Sequence, residues 1–292
     1  MGILQSVSRT KEVRARKVVV YGGNGVGKST FPSTAPNTLY LRPEDNLAHL
    51  DVEALPKPTG FTDFIGQLQA FHDEDHAFQT LVIDTLDEVQ KLIEDAVCAD
   101  GSKKSFADFG FGKGEKLARD YWKSIMDWID AIVTNRGVTV VMLAHADVVR
   151  YANPEGDDFD KYNMRLHKWA TNEFRKWAND VLFAQMPVVA KSQGDQAAGF
   201  GKPKKVGQAT GRRILRTVES GACFAKNQCG LPAEIPLSWA EYAKYAFPGG
   251  QANVVTGEVV GEPAPEPEWG EVGGDDGAYS SDTVEAVEGE GQ

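Results

Sequence analysis

With 292 residues and 41% hydrophobic side chains, the chain has room for one large domain or two modest ones around a real core. It contains no run of about 18 apolar residues, which excludes a spanning helix, and its polar, basic start, Met1 to Lys17, is not expected to be a signal peptide. The formal charge of −11 is unevenly placed: eleven of the 42 acidic residues, and no Lys or Arg, fall in 257–292, leaving 31 acidic against 31 basic residues in the rest.

Three cysteines, Cys98, Cys223 and Cys229, make no CxxC pair, which argues for a reducing cytoplasm and against a disulfide framework or zinc ribbon. In chain order, residues 1–14 read as an N-terminal segment, 15–250 as one α/β domain, and 251–292 as a disordered acidic tail rich in Gly, Pro and Glu. Strand candidates are Lys17 to Tyr21, Thr38 to Leu41, Thr80 to Asp84, Val138 to Leu143 and Val181 to Ala184. Between them run helical stripes: Phe61, Phe64, Ile65, Leu68 and Phe71; then Leu86 to Val97; then Leu117 to Val133. Strands alternating with helices predict a mainly parallel sheet with helices on both faces. Beyond residue 186, Pro187 to Lys191, Arg213 to Val218 and Ala222 to Ala225 read as short strands forming a C-terminal β-hairpin extension at the sheet edge. Ser238-Trp-Ala-Glu241 reads as a capping box opening a last helix, to about Phe247.

Gly22-Gly23-Asn24-Gly25-Val26-Gly27-Lys28-Ser29-Thr30 fits G-x-x-x-x-G-K-[ST] between a strand and an expected helix in which Pro32 falls early. Glycines let successive backbone N–H groups turn inward on phosphates, and the helix start adds its dipole. Lys28 is expected to reach the β- and γ-phosphates of ATP, and the Ser29 hydroxyl to ligate Mg²⁺. The apolar Leu81-Val-Ile-Asp84 ends in a carboxylate placed to hold that Mg²⁺, unless Asp84 only caps the next helix. Thr85-Leu-Asp-Glu88 is itself a capping box, which makes Glu88 structural. The base expected to orient water is Glu44, at the ligand-binding end of the second strand, with Asp45 a competitor. His145, at the tip of a strand expected between those of the loop and of Asp84, is the candidate sensor of the γ-phosphate.

These motifs together resemble the RecA-like P-loop ATPases of tailed phages, AAA-type ATP-binding proteins of the Sak-type single-strand annealing branch, related to RadA. The matching blocks include Glu44-Asp-Asn-Leu-Ala-His-Leu50, Phe109-Gly-Phe-Gly-Lys-Gly114, Met142-Leu-Ala-His145 and Ala225-Lys-Asn-Gln-Cys-Gly-Leu-Pro232. The resemblance implies a RecA-like core that binds single-stranded DNA. It also implies a homo-oligomer, ring or filament, with ATP at subunit interfaces, acting in recombination or replication in the host cytoplasm beside a single-strand-binding protein or similar partners. Lys226-Asn227 resembles the start of a RadA motif that sends a basic residue to the neighbouring subunit; Gln228 and Cys229 replace its Arg and Phe. Activation in trans then falls to Lys226, helped by Arg213.

The same resemblance directs DNA to 101–114, where Lys103, Lys104, Phe106, Phe109, Phe111 and Lys113 suit a mobile loop that stacks bases and neutralises phosphates. A second candidate is 146–163 with Arg150, and a third is the basic tip Lys202, Lys204, Lys205 and Arg212. Two other readings stand beside a DNA-stimulated ATPase: a nucleotide-gated scaffold or loader with little turnover, and a small-molecule kinase, for which no Arg-bearing lid is evident.

Overall fold

A computed structural model describes residues 14–110, 112–192 and 205–249. The N-terminal 1–13, Phe111, Lys202, Lys204 and the acidic tail lie outside the described residues. The first half alternates as expected: β1 (Lys17–Gly22), β2 (Thr38–Leu41), the short β3 (Glu53–Ala54), α1 (Phe61–Asp73), β4 (Thr80–Asp84), α2 (Leu86–Asp100) and α3 (Lys113–Asn135). Then follow β5 (Thr139–Tyr151), β6 (Phe159–Met164), α4 (Lys168–Trp177), β7 (Asp180–Gln185), β8 (Val188–Ser192), β9 (Lys205–Ala209), β10 (Ile214–Arg216), β11 (Glu234–Pro236) and α5 (Trp239–Ala246).

The main sheet has the order β11-β10-β7-β1-β5-β4-β2-β3, parallel from β7 to β3 and closed at one edge by antiparallel β10 and β11. This is the sheet of an α/β P-loop NTPase core. The strand bearing His145 lies between that of the loop and that of Asp84, and β2 adjoins β4. Period-two alternation divides each strand between two cores. Val19, Tyr21, Leu81, Ile83, Val140 and Met142 face the stripes of α1 to α4. Val18, Val20, Val82, Val141 and Leu143 face the other layer, made by Phe31, Leu47, Leu231 and α5 through Trp239 and Tyr242. Central strands buried on both faces read as unbroken apolar runs, and each such side chain contributes about 1.5–3 kcal/mol of burial.

Four expectations are corrected. The helix after the phosphate loop is only a 3-10 turn, Phe31–Thr34. Pro32 lacks the donor a helix needs there, and Pro36 forces Ala35 into extended geometry, with ψ of 154°. The Thr85–Glu88 capping box does not form: Thr85 makes no side-chain cap, and Glu88 instead pairs with Lys91. The stretch 146–163 is not a loop but largely a hairpin of β5 and β6, paired from Ala146↔Met164 to Tyr151↔Phe159. Ala222 to Ala225 is not a strand; the chain there makes only single bridges, Tyr162↔Cys223 and Val181↔Lys226. Beyond β7, β8 pairs with β9 in a separate two-stranded sheet, while β10 joins the main sheet beside β7 with β11 outside it.

Candidate nucleotide-binding site

β1 delivers the glycine-rich loop at the carboxyl end of the parallel strands, where Gly22 stands between His145 of β5 and Ala184 of β7. A Cβ at Gly22 would fall 2.3 Å from the Ala184 carbonyl oxygen, so only glycine passes. Gly25 and Gly27 take φ of 70° and 102°, the left-handed region that favours glycine. Buried Val26 pins the loop to the core, and Phe31 N–H closes one turn on Gly27 O at 3.0 Å. Lys28, only 6% exposed, folds back along the loop and donates to the carbonyls of Gly22 (3.2 Å) and Gly23 (2.9 Å). Burial lowers its pKa, opposed by the charges of Asp84, Asp87 and Glu44.

Those carboxylates form the facing wall. Asp84, at the tip of β4, is completely buried, and neither of its oxygens has a hydrogen-bond partner among the described residues. Burial raises its pKa; the nearby Ser29 hydroxyl opposes this, Glu44 adds to it, and Lys28 and His145 oppose it. The Glu44 N–H donates to the Asp84 carbonyl at 3.4 Å, which brings the loop after β2 onto the tip of β4. Glu44 Oε2 is buried there without a partner. His145 is half-buried, and its N–H donates to Asp87 Oδ2 at 2.7 Å while its Nδ1 lies 3.5 Å from the same oxygen.

Lys28, Asp84, Glu44 and His145, distant in sequence, thus converge at the carboxyl end of the parallel strands. Two members escaped sequence reasoning. Asp87 buttresses His145 and keeps a second, orphaned oxygen, Oδ1. Tyr40, which reads as a core strand residue, donates its hydroxyl to Ser29 O at 2.8 Å and fixes the loop from below. The only sequence signal for Asp87 is its place three residues after Asp84, in the first turn of the helix that follows.

A family model described as an AAA domain matches residues 14–229. The chain belongs to that family. A search of curated proteins returned no match. The AAA domain accounts for a P-loop ATPase core, and the match spans the loop, Asp84, Glu44, His145 and the segment around Lys226.

The remaining predicted residues lie elsewhere on this AAA domain. Lys226 is bridged to Val181, towards the opposite end of β7 from the phosphate loop, and its ammonium donates to Lys176 O at 3.0 Å. Burial lowers its pKa. The Arg213 guanidinium lies alongside Gly27 of the same chain. Of the stretch 101–114 expected as a mobile loop, residues 101–110 are folded, with Ser105 and Asp108 forming a reciprocal cap around a 3-10 turn, Phe106–Phe109, and α3 begins at Lys113. Phe106 stacks on His167 at 5.1 Å and Phe109 packs at Gly101, so both rings are half-buried, while Lys103, Lys104 and Lys113 are exposed. Arg150 lies within 3.8 Å of Asp158 and 3.6 Å of Asp160 across the β5–β6 hairpin. Arg212 is exposed, and Lys205 begins β9. A cleft of about 630 Å³ opens between that hairpin and α4, lined by Arg150, Arg165, Lys168 and Arg175 with Glu115 and Asp147.

Proposed function

We propose that this AAA-family protein is an ATPase of phage-type DNA recombination or replication, which binds single-stranded DNA and promotes its annealing or pairing as a homo-oligomer. The observation that carries the nucleotide part is the buried Asp84 carboxylate, both oxygens unpartnered, across from Lys28. A buried carboxylate without donors is costly unless a cation completes it. The donor set, one carboxylate and the Ser29 hydroxyl beside a phosphate loop, fits Mg²⁺. Bound there, the ion would supply neutralising charge to the β- and γ-phosphate oxygens.

The chain's own residues do the rest. Lys28, drawn now to loop carbonyls, would turn to the phosphates and stabilise charge on the transferring group. Glu44, with an orphaned oxygen at the pocket wall, would orient water and accept its proton. His145, held by Asp87, would respond to the γ-phosphate and pass its loss along β5, which continues directly into the hairpin bounding the basic cleft. Single-stranded DNA would lie in that cleft, with Lys103, Lys104 and Lys113 taking phosphates nearby. The rings of Phe106 and Phe109 would have to leave their packing to stack bases.

A second reading, a nucleotide-gated DNA scaffold with little turnover, is favoured by one observation. The segment expected to reach a neighbouring subunit is bound to its own chain: Gln228 N–H donates to Asp180 at 2.9 Å, and Lys226 is engaged with Lys176. ATP turnover measured with and without single-stranded DNA, beside Lys28→Ala, separates the two. The leading reading expects DNA to stimulate turnover and Glu44→Gln to hold ATP unhydrolysed. Weak turnover indifferent to DNA supports the scaffold, and normal turnover in Glu44→Gln removes Glu44 from its role.

A further inference from the structure

We infer that Arg213 grips the α-phosphate and nucleoside end of the nucleotide from within the same chain, with Leu237 packed beside it; this rests on the nucleotide reading above. The sheet order gives the site a direction. Glu44, Asp84 and His145 stand on the β5, β4 and β2 side of the phosphate loop, so the terminal phosphate belongs there. The rest of a nucleotide must then extend towards the other flank, where β7 and β10 lie.

Arg213 is held on that flank. It immediately precedes β10, and its carbonyl accepts from Leu237 N–H at 3.0 Å, tying it to the residue after β11. A Cβ built on Gly27 would lie 3.4 Å from Leu237 Cδ2 and 3.5 Å from Arg213 Nη1, so both side chains cover the loop just before Lys28. Arg216, three residues on, reaches Glu234 at 4.0 Å. Arg213 makes no ion pair or side-chain hydrogen bond among the described residues and is exposed. A guanidinium set over a phosphate loop without a carboxylate has one natural counter-charge, a phosphate oxygen, and its fork suits that shape. Leu237 offers the neighbouring ribose or base an apolar surface.

The test is equilibrium binding of ATP and ADP to the full chain and to Arg213→Ala, Arg213→Lys and Leu237→Ala. Arg213→Ala should weaken both nucleotides equally, by about tenfold to a hundredfold, the range for a charge-assisted hydrogen bond. Arg213→Lys should recover part of the loss, and Leu237→Ala should show a smaller loss of the same kind. Mixing Arg213→Ala with Lys28→Ala chains should not restore tight binding, because each intact residue would sit in the wrong chain. Unchanged affinity in Arg213→Ala, a loss confined to ATP, or restoration on mixing would each overturn the inference. If the unmodified chain binds neither nucleotide, the nucleotide reading falls first and this inference with it.

Discussion

Asp84 and Asp180 are both wholly buried strand residues of one sheet, yet their surroundings are opposite. Asp180 opens β7 and is fully satisfied: Arg16 donates through Nε at 2.7 Å and Nη2 at 2.9 Å, the Tyr242 hydroxyl at 2.7 Å, and Gln228 N–H at 2.9 Å. It ties the chain before β1, the segment after β10 and α5 to the sheet. Asp84 closes β4 at the other end of the sheet with neither oxygen hydrogen-bonded among the described residues. The first carboxylate is complete within the protein and is structural. The second keeps both oxygens open among the described residues, the pattern expected where a ligand binds.

The comparison breaks most readily on substitution. Asp84→Ala should lower Mg²⁺-dependent ATP hydrolysis by roughly 10²-fold or more, the scale of losing one preorganised electrostatic group, while denaturant unfolding stays within about 1 kcal/mol. Asp180→Ala should do the reverse, costing about 3–5 kcal/mol of unfolding free energy because half-buried Arg16, the Tyr242 hydroxyl and Gln228 N–H all lose their shared acceptor. Equal stability losses in the two variants would erase the distinction. A gentler version uses pH in chelator-treated protein. Since Asp84's native pKa is raised by burial, the folded state holds its proton more tightly than the unfolded chain. Its contribution is therefore fully present below the unfolded value, about 4, and lost as pH climbs through the raised native one. Unfolding of Asp84→Asn should show a flatter fall across that window than the unmodified chain.

Smaller effects sharpen the Asp180 side. Tyr242→Phe removes one of several donors to a charged acceptor and should cost about 1.5–3 kcal/mol, measured by urea unfolding, less than Asp180→Ala. Burial, with Asp180 adding to it, pushes the Cys229 thiol up to about 11. Its alkylation, followed by peptide mass spectrometry, should stay slow at pH 8 and accelerate towards pH 11; reaction as fast as an ordinary exposed thiol would contradict the packed segment.

What the sequence disclosed follows from range. The phosphate loop, β1, β2, β4, β7, the first half of β5 and the stripes of α1 to α3 are local patterns, and each is where the residues put it. α4 was missed because its apolar face is only Ala170, Phe174 and a few aromatic neighbours set among charged residues. β5 was read too short because past Ala144 it leaves the core, and Val148 and Tyr151 alternate with charged residues on an exposed hairpin. Asp87 hid behind a plausible cap. Asp180 could not announce itself, since its partners Arg16, Gln228 and Tyr242 lie 164, 48 and 62 residues away. Arg213, expected to help a neighbouring subunit, also stands beside Gly27 of its own chain, a proximity set by β10 that no local pattern reveals.

Calorimetric titration of ATP into the purified chain, with and without Mg²⁺, addresses the central claim most directly. One site per chain is predicted, with Mg²⁺ strengthening binding in the unmodified protein, no such strengthening in Asp84→Asn, and no binding in Lys28→Ala. Heats that are absent, or that are the same in all three proteins, would contradict it.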